Sequence, residues 1–329
     1  MKKKNIAAGA LMLIMLLSGC GFTSPFSKGD TIKWNSEAFL RVGDTQIDYH
    51  EALVYLDAAK SDYEKYYGDA IWDYRVDAGG DTVWDKVRAD VLEDIIYMKV
   101  VCSKATELGV TLTNDELLQV DRDAASYMEK IGTEAAEERG ITEETVHRVY
   151  EDNALAQKIF EKATLNIDTN ISTEDAKRGH YYAIALRKYK IGSDGTKTEY
   201  SDDEKSDILD KMEELLQEAT EAKNFLKYAE SVTEESGYLD FYAGADNIPA
   251  GAEEALLLLD GEISSVIETE DYYFIFYCVS QLDLDATLAR KEEIIVERQK
   301  EAFEELSAKW RSEADVEVNE DVWNSLSLR

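Results

Sequence analysis

The sequence predicts an α+β protein in which a mostly helical part, made from both ends of the chain, carries an inserted α+β unit. Three observations predict it. Apolar residues recur at three- and four-residue spacing over long stretches of a 329-residue chain that holds only two prolines, Pro25 and Pro249. From about residue 180 to 285 the pattern changes to a strand, helices and late strands, the order of a small α+β unit. After Asp285 the helical spacing returns through Trp310. Ile294, Ile295, Phe303, Leu306 and Trp310 give that helix a side to bury, and it is expected to pack back on the first helical region.

Taken in order, the chain opens with Lys2, Lys3 and Lys4 ahead of an apolar run from Ile6 to Leu17. That run is too short for a permanent membrane span and suits a cleaved signal segment. Leu17-Ser18-Gly19-Cys20 resembles a bacterial lipobox, which implies diacylation of Cys20 as the first mature residue. Two acyl chains hold a protein at a membrane without a spanning helix. A Ser-, Thr- and Gly-rich tether follows, and folding is expected to begin near Trp34. Two short strands flank a turn at Gly43-Asp44 and lead into a helix from Tyr49 to Tyr67. A second helix is expected from Trp84 to Leu108, ended by Gly109. A third opens on the capping pattern Thr113-Asn114-Asp115-Glu116 and runs to Ile131, and a fourth continues from Thr142 to Ala163.

Ile171 to Asp175 reads as a short capped helix, and Tyr181 to Ile191 as an extended segment with its core strand at Leu186 to Ile191. A turn at Ser193-Asp194-Gly195, helices over Asp202–Ala222 and Phe225–Val232, and glycine-punctuated loops come next. Strand signals return at Val266-Ile267 and Tyr272 to Val279, and Val316-Glu317-Val318 reads as a short extended tail. The expected divisions are therefore 1–19 signal, 20–33 tether, 34–178 helical, 179–285 α+β, and 286–329 a C-terminal helix.

Charge removes whole classes of function. The net charge is −33. Loss of Lys2, Lys3 and Lys4 with the signal takes 36 basic side chains to 33 against 69 acids, a mature net charge of −36. Nucleic acid binding needs a basic footprint and is not expected. No glycine-rich phosphate loop points to a nucleotide, and no cofactor is expected. His50, His147 and His180 have no cysteine or second histidine beside them, and the acidic runs lack EF-hand spacing, so no metal site is expected. Cys102 and Cys278 read as buried thiols, with a disulfide between them left open. Nineteen tyrosines supply amphipathic surface, and Tyr55, Tyr63, Tyr67 and Trp72 are singled out as a groove for unfolded client segments.

Several segments resemble one family. Leu259-Asp260-Gly261-Glu262-Ile263-Ser264-Ser265-Val266-Ile267 is similar to the last third of a parvulin-type peptidyl-prolyl isomerase domain. Phe225-Leu226-Lys227-Tyr228-Ala229 and Gly237-Tyr238-Leu239-Asp240-Phe241 resemble that domain's "F..LA" and "G.LG.F" segments. Val42 to Ile47 and Lys104 to Thr113 resemble the "VNG..I" and "A...GI.VT..E" segments of SurA-like and PrsA-like foldases. With the lipobox, the ordered set resembles a PrsA-like extracytoplasmic foldase lipoprotein over nearly the whole chain.

The resemblance implies a SurA-like helical chaperone domain with a parvulin-like insert. It also implies a lipid anchor on the outer face of the cell membrane, and newly secreted or unfolded polypeptides as partners. It implies two histidines on central strands as well, and this chain departs from that. The first should fall in Leu186 to Ile191, where there is none, and the second falls at Phe274, or at Tyr273 with a one-residue slip. The family's Cys/Asp position falls near Glu234 or Glu235. Prolyl isomerisation needs no proton transfer, only a site that favours the twisted amide. Three readings follow: a holding foldase whose insert has lost catalysis, a prolyl isomerase using Glu235, Tyr273 and Phe274, and an envelope-assembly or solute-binding lipoprotein.

Overall fold

The structure, a computed structural model, describes residues 33–76 and 80–327. The expected signal segment and Cys20 lie outside the described residues. The chain divides into two compact units, one formed by the chain up to Ile167 together with Lys300–Arg329, the other by Asp168–Gln299.

In the first unit, strands β1 (Ala38–Val42) and β2 (Thr45–Asp48) form a hairpin that runs directly into helix α1 (Tyr49–Tyr67). The Asp48 side chain accepts the His50 backbone N–H and so caps α1. Helices α2 (Val83–Ser103), α3 (Ala105–Leu108), α4 (Asn114–Ile131), α5 (Thr133–Glu138) and α6 (Glu143–Ala163) follow. Reciprocal capping boxes start two of them, Thr82 with Asp85 on α2 and Thr113 with Glu116 on α4. The helix expected to run unbroken to Leu108 is interrupted at Lys104, and Gly109 closes α3 in the left-handed region at φ 65°.

The second unit is built on a four-stranded antiparallel sheet. Strand β3 (Gly179–Arg187) is followed by a small exposed hairpin of β4 (Tyr189–Ile191) and β5 (Lys197–Glu199), then by α7 (Asp202–Glu221) and α8 (Phe225–Val232). Strands β6 (Asp240–Ala243), β7 (Ile267–Glu268) and β8 (Tyr272–Ser280) complete the sheet in the order β6-β3-β8-β7. Helix α9 (Leu284–Glu313) begins in this unit and ends in the first.

The expectation that the core strand lies at Leu186 to Ile191 is corrected. The buried strand is β3, and at Tyr189 the chain leaves the sheet. Ala183, Ile184, Ala185 and Leu186 are all buried, because both faces of β3 are covered; the signal is an unbroken apolar run rather than alternation. The short helix expected at Ile171 to Asp175 is a turn. Ser172 does receive the Asp175 N–H at 3.0 Å as a cap would, but only one turn fits before β3 begins at Gly179. Among the described residues, β6, α5 and the late helix α10 (Glu320–Ser325) had no sequence expectation.

The extended tail is a strand, β9 (Val316–Val318), paired antiparallel to β1 with Leu40 opposite Val318 and Val42 opposite Val316. After it, α10 places Trp323 on Phe39 with ring centroids 5.4 Å apart. The Arg88 guanidinium lies over the same indole, and Arg88 donates to the Trp323 carbonyl at 2.6 Å. Phe303 and Trp310 of α9 are buried in the same core as Ile95, Val146 and Ile159.

Two predictions come from this unit. Trp323→Ala removes a buried ring that joins the C-terminal segment to β1, and is expected to cost about 3 kcal/mol in urea unfolding; a loss under about 1 kcal/mol would contradict the packing described. Asp94 on α2 is pushed up from 3.8 to about 6, first by burial and then by Asp90 and Glu93. The folded state therefore holds this proton more tightly than the unfolded chain. The associated stability is fully present below pH 4 and is lost as pH rises through about 6. Asp94→Asn is expected to be the more stable protein at pH 8 by about 1 kcal/mol, a figure reduced for partial solvent exposure, with no difference at pH 4. Urea midpoints measured across that range test it.

Candidate functional site

The register between β3 and β8 sets what the sheet offers. Ala185 faces Phe274, Leu186 faces Tyr273 and Arg187 faces Tyr272. Successive residues of a strand point to opposite faces, so Tyr273 and Phe274 are separated by the sheet itself. Tyr273 joins Ile184, Leu186 and Ile275 against Met212, Leu215 and Phe225 of the covering helices. Its hydroxyl approaches Glu268 at 3.4 Å, and Lys188 Nζ sits 5.2 Å from its ring centre.

Phe274 lies on the other face with Tyr181, Ala183, Ala185 and Phe276, beneath the segment bearing Ala252, Ala255 and Leu258. It has no solvent exposure. Phe276 at 5.0 Å and Tyr238 at 4.9 Å flank its ring, and Gly251 closes over it. Gly251 has φ +81°, and a Cβ there would stand 3.2 Å from Phe274 Cε2 and 3.1 Å from Thr269 Cγ2. The accessible rim of this face is polar and aromatic. Arg187 pairs with Glu235 at 3.0 Å, Tyr189 and Tyr272 share a hydroxyl hydrogen bond of 2.9 Å, and the Tyr238 hydroxyl donates to the Ala250 carbonyl at 2.9 Å. Burial and the Tyr189 hydrogen bond push the Tyr272 phenol well up, while the bond to Glu235 raises Arg187 further. Glu234 accepts the Arg187 backbone N–H at 3.1 Å and fixes the start of this rim.

Of the three residues expected to act together, then, Glu235 and Phe274 share a face, with Tyr238 and Tyr272 between them and Phe274 sealed. Tyr273 is on the opposite face and cannot join them. His180 lies at the far end of β3, paired with Asp240 at 2.7 Å and stacked on Tyr242. The sequence reading missed the rim residues Arg187, Tyr189, Tyr238 and Tyr272; strict alternation from Phe274 would have found Tyr272, whereas nothing local marks the others.

The second expected surface belongs to the helical unit. Tyr55 is only 2% exposed and is corrected out of it, since the first half of α1 is buried and Tyr55 sits in the core with its hydroxyl unpaired among the described residues. Trp72, 5% exposed, is buried as well and donates its indole N–H to Glu64 at 2.9 Å. Tyr63 and Tyr67 reach solvent. A run of rings leads outward: Trp84 to Trp72 at 5.5 Å, Trp72 to Tyr63 at 5.5 Å, Tyr63 to Tyr67 at 6.1 Å and Tyr67 to Tyr66 at 6.5 Å. Tyr66, one of the tyrosines read as amphipathic surface but left outside the expected groove, is more exposed than any of the expected four; the three- and four-residue spacing of 63, 66 and 67 on one helix was the available signal.

Two further features lie in the first unit. A cavity of about 660 Å³ in the helical unit is lined by Tyr49, Leu53, Lys60, Arg139, Val322 and Leu326 among others. Glu37, Asp48 and His50 bring three potential metal-ligand atoms within 4.8 Å of one another, although Asp48 already caps α1 and contacts His50 Nδ1 at 2.6 Å.

An α+β protein with a helical unit closed by its own C-terminal segment, and an inserted sheet unit with an aromatic rim, is the class these features define. No family model matches the chain. Among curated proteins it is similar to the foldase protein PrsA of Clostridium botulinum (strain 657 / Type Ba4), 24% identical over 267 residues that cover 73% of this chain and 76% of that protein. It is also similar to the foldase protein PrsA of Clostridium kluyveri, 25% identical over 218 residues covering 59% and 61%. Among solved structures, the foldase protein PrsA from Lactococcus lactis aligns at 14% identity over 88% of this chain and 97% of that one, with a TM-score of 0.38. A SurA-like chaperone of Campylobacter jejuni aligns at 12% identity over 86% and 99%, with a TM-score of 0.32. The chain is PrsA-like in sequence over most of its length, as its motifs imply.

The seal over Phe274 and the rim pair differ in what they contribute to stability. Gly251→Ala, strained at positive φ and crowded against Phe274, is expected to cost about 2 kcal/mol. Glu235→Ala, which breaks a part-exposed ion pair, is expected to cost under about 1 kcal/mol. Paired urea titrations check both, and an equal loss would mean that Glu235 supports the fold rather than the rim.

Proposed function

We propose that this protein is a membrane-tethered, extracytoplasmic foldase that holds unfolded or newly secreted polypeptides without nucleotide, and that its parvulin-like unit no longer isomerises prolyl bonds. The lipid anchor on Cys20 belongs to this proposal and rests on the lipobox. The sequence likeness to PrsA foldases supports the foldase class. The observation that carries the loss of catalysis is the state of the sheet face: where the family resemblance calls for an imidazole, Phe274 is sealed under Tyr238 and Gly251. A buried ring there leaves no open apolar pocket for a substrate proline at that position. The Tyr63–Tyr67 surface supports a holding role, since amphipathic rings at the surface bind apolar segments with little ordering cost.

One observation favours an isomerase instead, the Arg187–Glu235 pair beside Tyr238 and Tyr272, which places charge at the rim. A protease-coupled assay on Xaa-Pro tetrapeptides separates the two. The expected result is no acceleration above the uncatalysed rate, together with delayed light scattering from several unrelated aggregating clients. Acceleration that Glu235→Ala abolishes would make the protein an enzyme with an unusual site. A delay confined to one client would instead favour an assembly factor.

A further inference from the structure

The outer half of α1 departs from its first half, which is buried from Glu51 to Asp57. Tyr66 is 73% exposed, Tyr67 67% and Tyr63 37%, all within two turns, and Tyr74 is exposed just beyond the 3-10 turn that carries Trp72. Rings this large are ordinarily at least half covered, and three together on one helix leave a continuous aromatic surface. It is backed by the ring run that continues through Tyr63 and Trp72 to the buried Trp84.

The charges around these rings are unevenly engaged. Glu64 is held by the Trp72 indole, and Lys60 lies 3.9 Å from it. Asp57 is taken up by Tyr127 and Arg139 in the interior. Asp62 is exposed one helical turn before Tyr66, Asp69 is exposed at the start of the 3-10 turn that follows α1, and neither has an ion pair among the described residues. Lys65 Nζ stands 5.2 Å from the Tyr66 ring centre, so the chain itself already places an ammonium on one of these faces. A phenol face attracts a cation through its quadrupole, and the surrounding field of a chain with net charge −33 draws cations and repels anions.

We propose that the Tyr63–Tyr66–Tyr67 surface recognises cationic unfolded segments, with lysine or arginine side chains seated on the phenol rings beside Asp62 and Asp69. The inference rests on the holding role proposed above and adds the chemical class of client. Aliphatic stems of lysine and arginine cover the rings while their heads lie over ring faces or reach the carboxylates. Acidic segments of equal apolar content are disfavoured by the same charges.

The test uses the purified chain and three labelled peptides of identical apolar content that carry lysine, glutamine or glutamate at the same positions, with binding read by fluorescence anisotropy. The lysine peptide is expected to bind about tenfold more tightly than the glutamine peptide, and the glutamate peptide more weakly still. Tyr66→Phe/Tyr67→Phe, which keeps the ring faces, is expected to retain the preference. Tyr66→Leu/Tyr67→Leu, which keeps apolar area and net charge, is expected to bring the lysine-to-glutamine ratio close to one while the glutamine peptide still binds. These side chains are exposed, so neither variant disturbs the core. An undiminished ratio in the leucine variant would assign the preference to net charge alone and overturn the proposal, as would equal binding of lysine and glutamine peptides by the parent. If no peptide bound at all, the holding role itself would fall, and this inference with it.

Discussion

The helical unit depends on one long-range closure. Strand β9 lies against β1, and Phe303, Trp310 and Trp323 from the last part of the chain enter a core that α1, α2 and α6 share with β1. The two segments that meet are separated in sequence by the whole of Asp168–Gln299. Joining chain ends across so long an interval costs conformational entropy, but that cost rises only slowly with the number of intervening residues. Three large buried rings and a strand pairing are ample to offset it, since each buried aromatic ring removes 150–250 Å² from water. An insert that folds on its own core shortens the effective loop further.

Within that unit the helices are also joined by buried charge. Lys99 of α2 pairs with Glu51 of α1 and with Asp152 of α6, and Arg148 reaches the same Glu51 at 3.4 Å. Desolvation acts against the Lys99 ammonium, yet its two carboxylate partners outweigh it and its proton is held more tightly than usual. Such a cluster adds little net stability over apolar packing, but it penalises any rearrangement that would strand one of the charges. It therefore selects one arrangement of α1, α2 and α6. The Tyr55 hydroxyl and the Cys102 thiol lie beside it, and both are pushed well up by burial and by the neighbouring acids.

In the sheet unit, parity along a strand carries comparable weight. A one-residue difference places Tyr273 against the helices and Phe274 under Gly251, and no adjustment of side-chain rotamers exchanges them. The chemistry of the face is thus set by which residues have the parity of Phe274. They are Tyr181, Ala183, Ala185, Tyr272 and Phe276, with Arg187 and Glu235 pairing at the rim. Rings and small side chains make up this face. The same alternation explains why β3 escaped correct placement from sequence, because a strand covered on both faces shows no alternation to read.

Local order was legible wherever the determinants are local. The cap at Thr113, the left-handed stop at Gly109 and the helical spacing of α4, α7 and α8 lie within a few residues of the structure they produce. The PrsA-like resemblance rests on the order of the family-like segments from Val42 to Ile267, whereas the α+β class followed from those local signals. Register, burial and pairing did not, since each depends on residues distant in sequence. Strand β9 finds β1, the first half of α1 takes Tyr55 inward while the second half leaves Tyr66 in solvent, and Arg187 meets Glu235 across α7 and α8. What the sequence by itself determined was most of the helices and the late strand at Tyr272, because backbone propensity and capping act over one or two turns, together with the family that its motifs resemble. The identity of the exposed rings, the sealing of Phe274 and the separation of Tyr273 from it were decided only when burial assigned each side chain to a face.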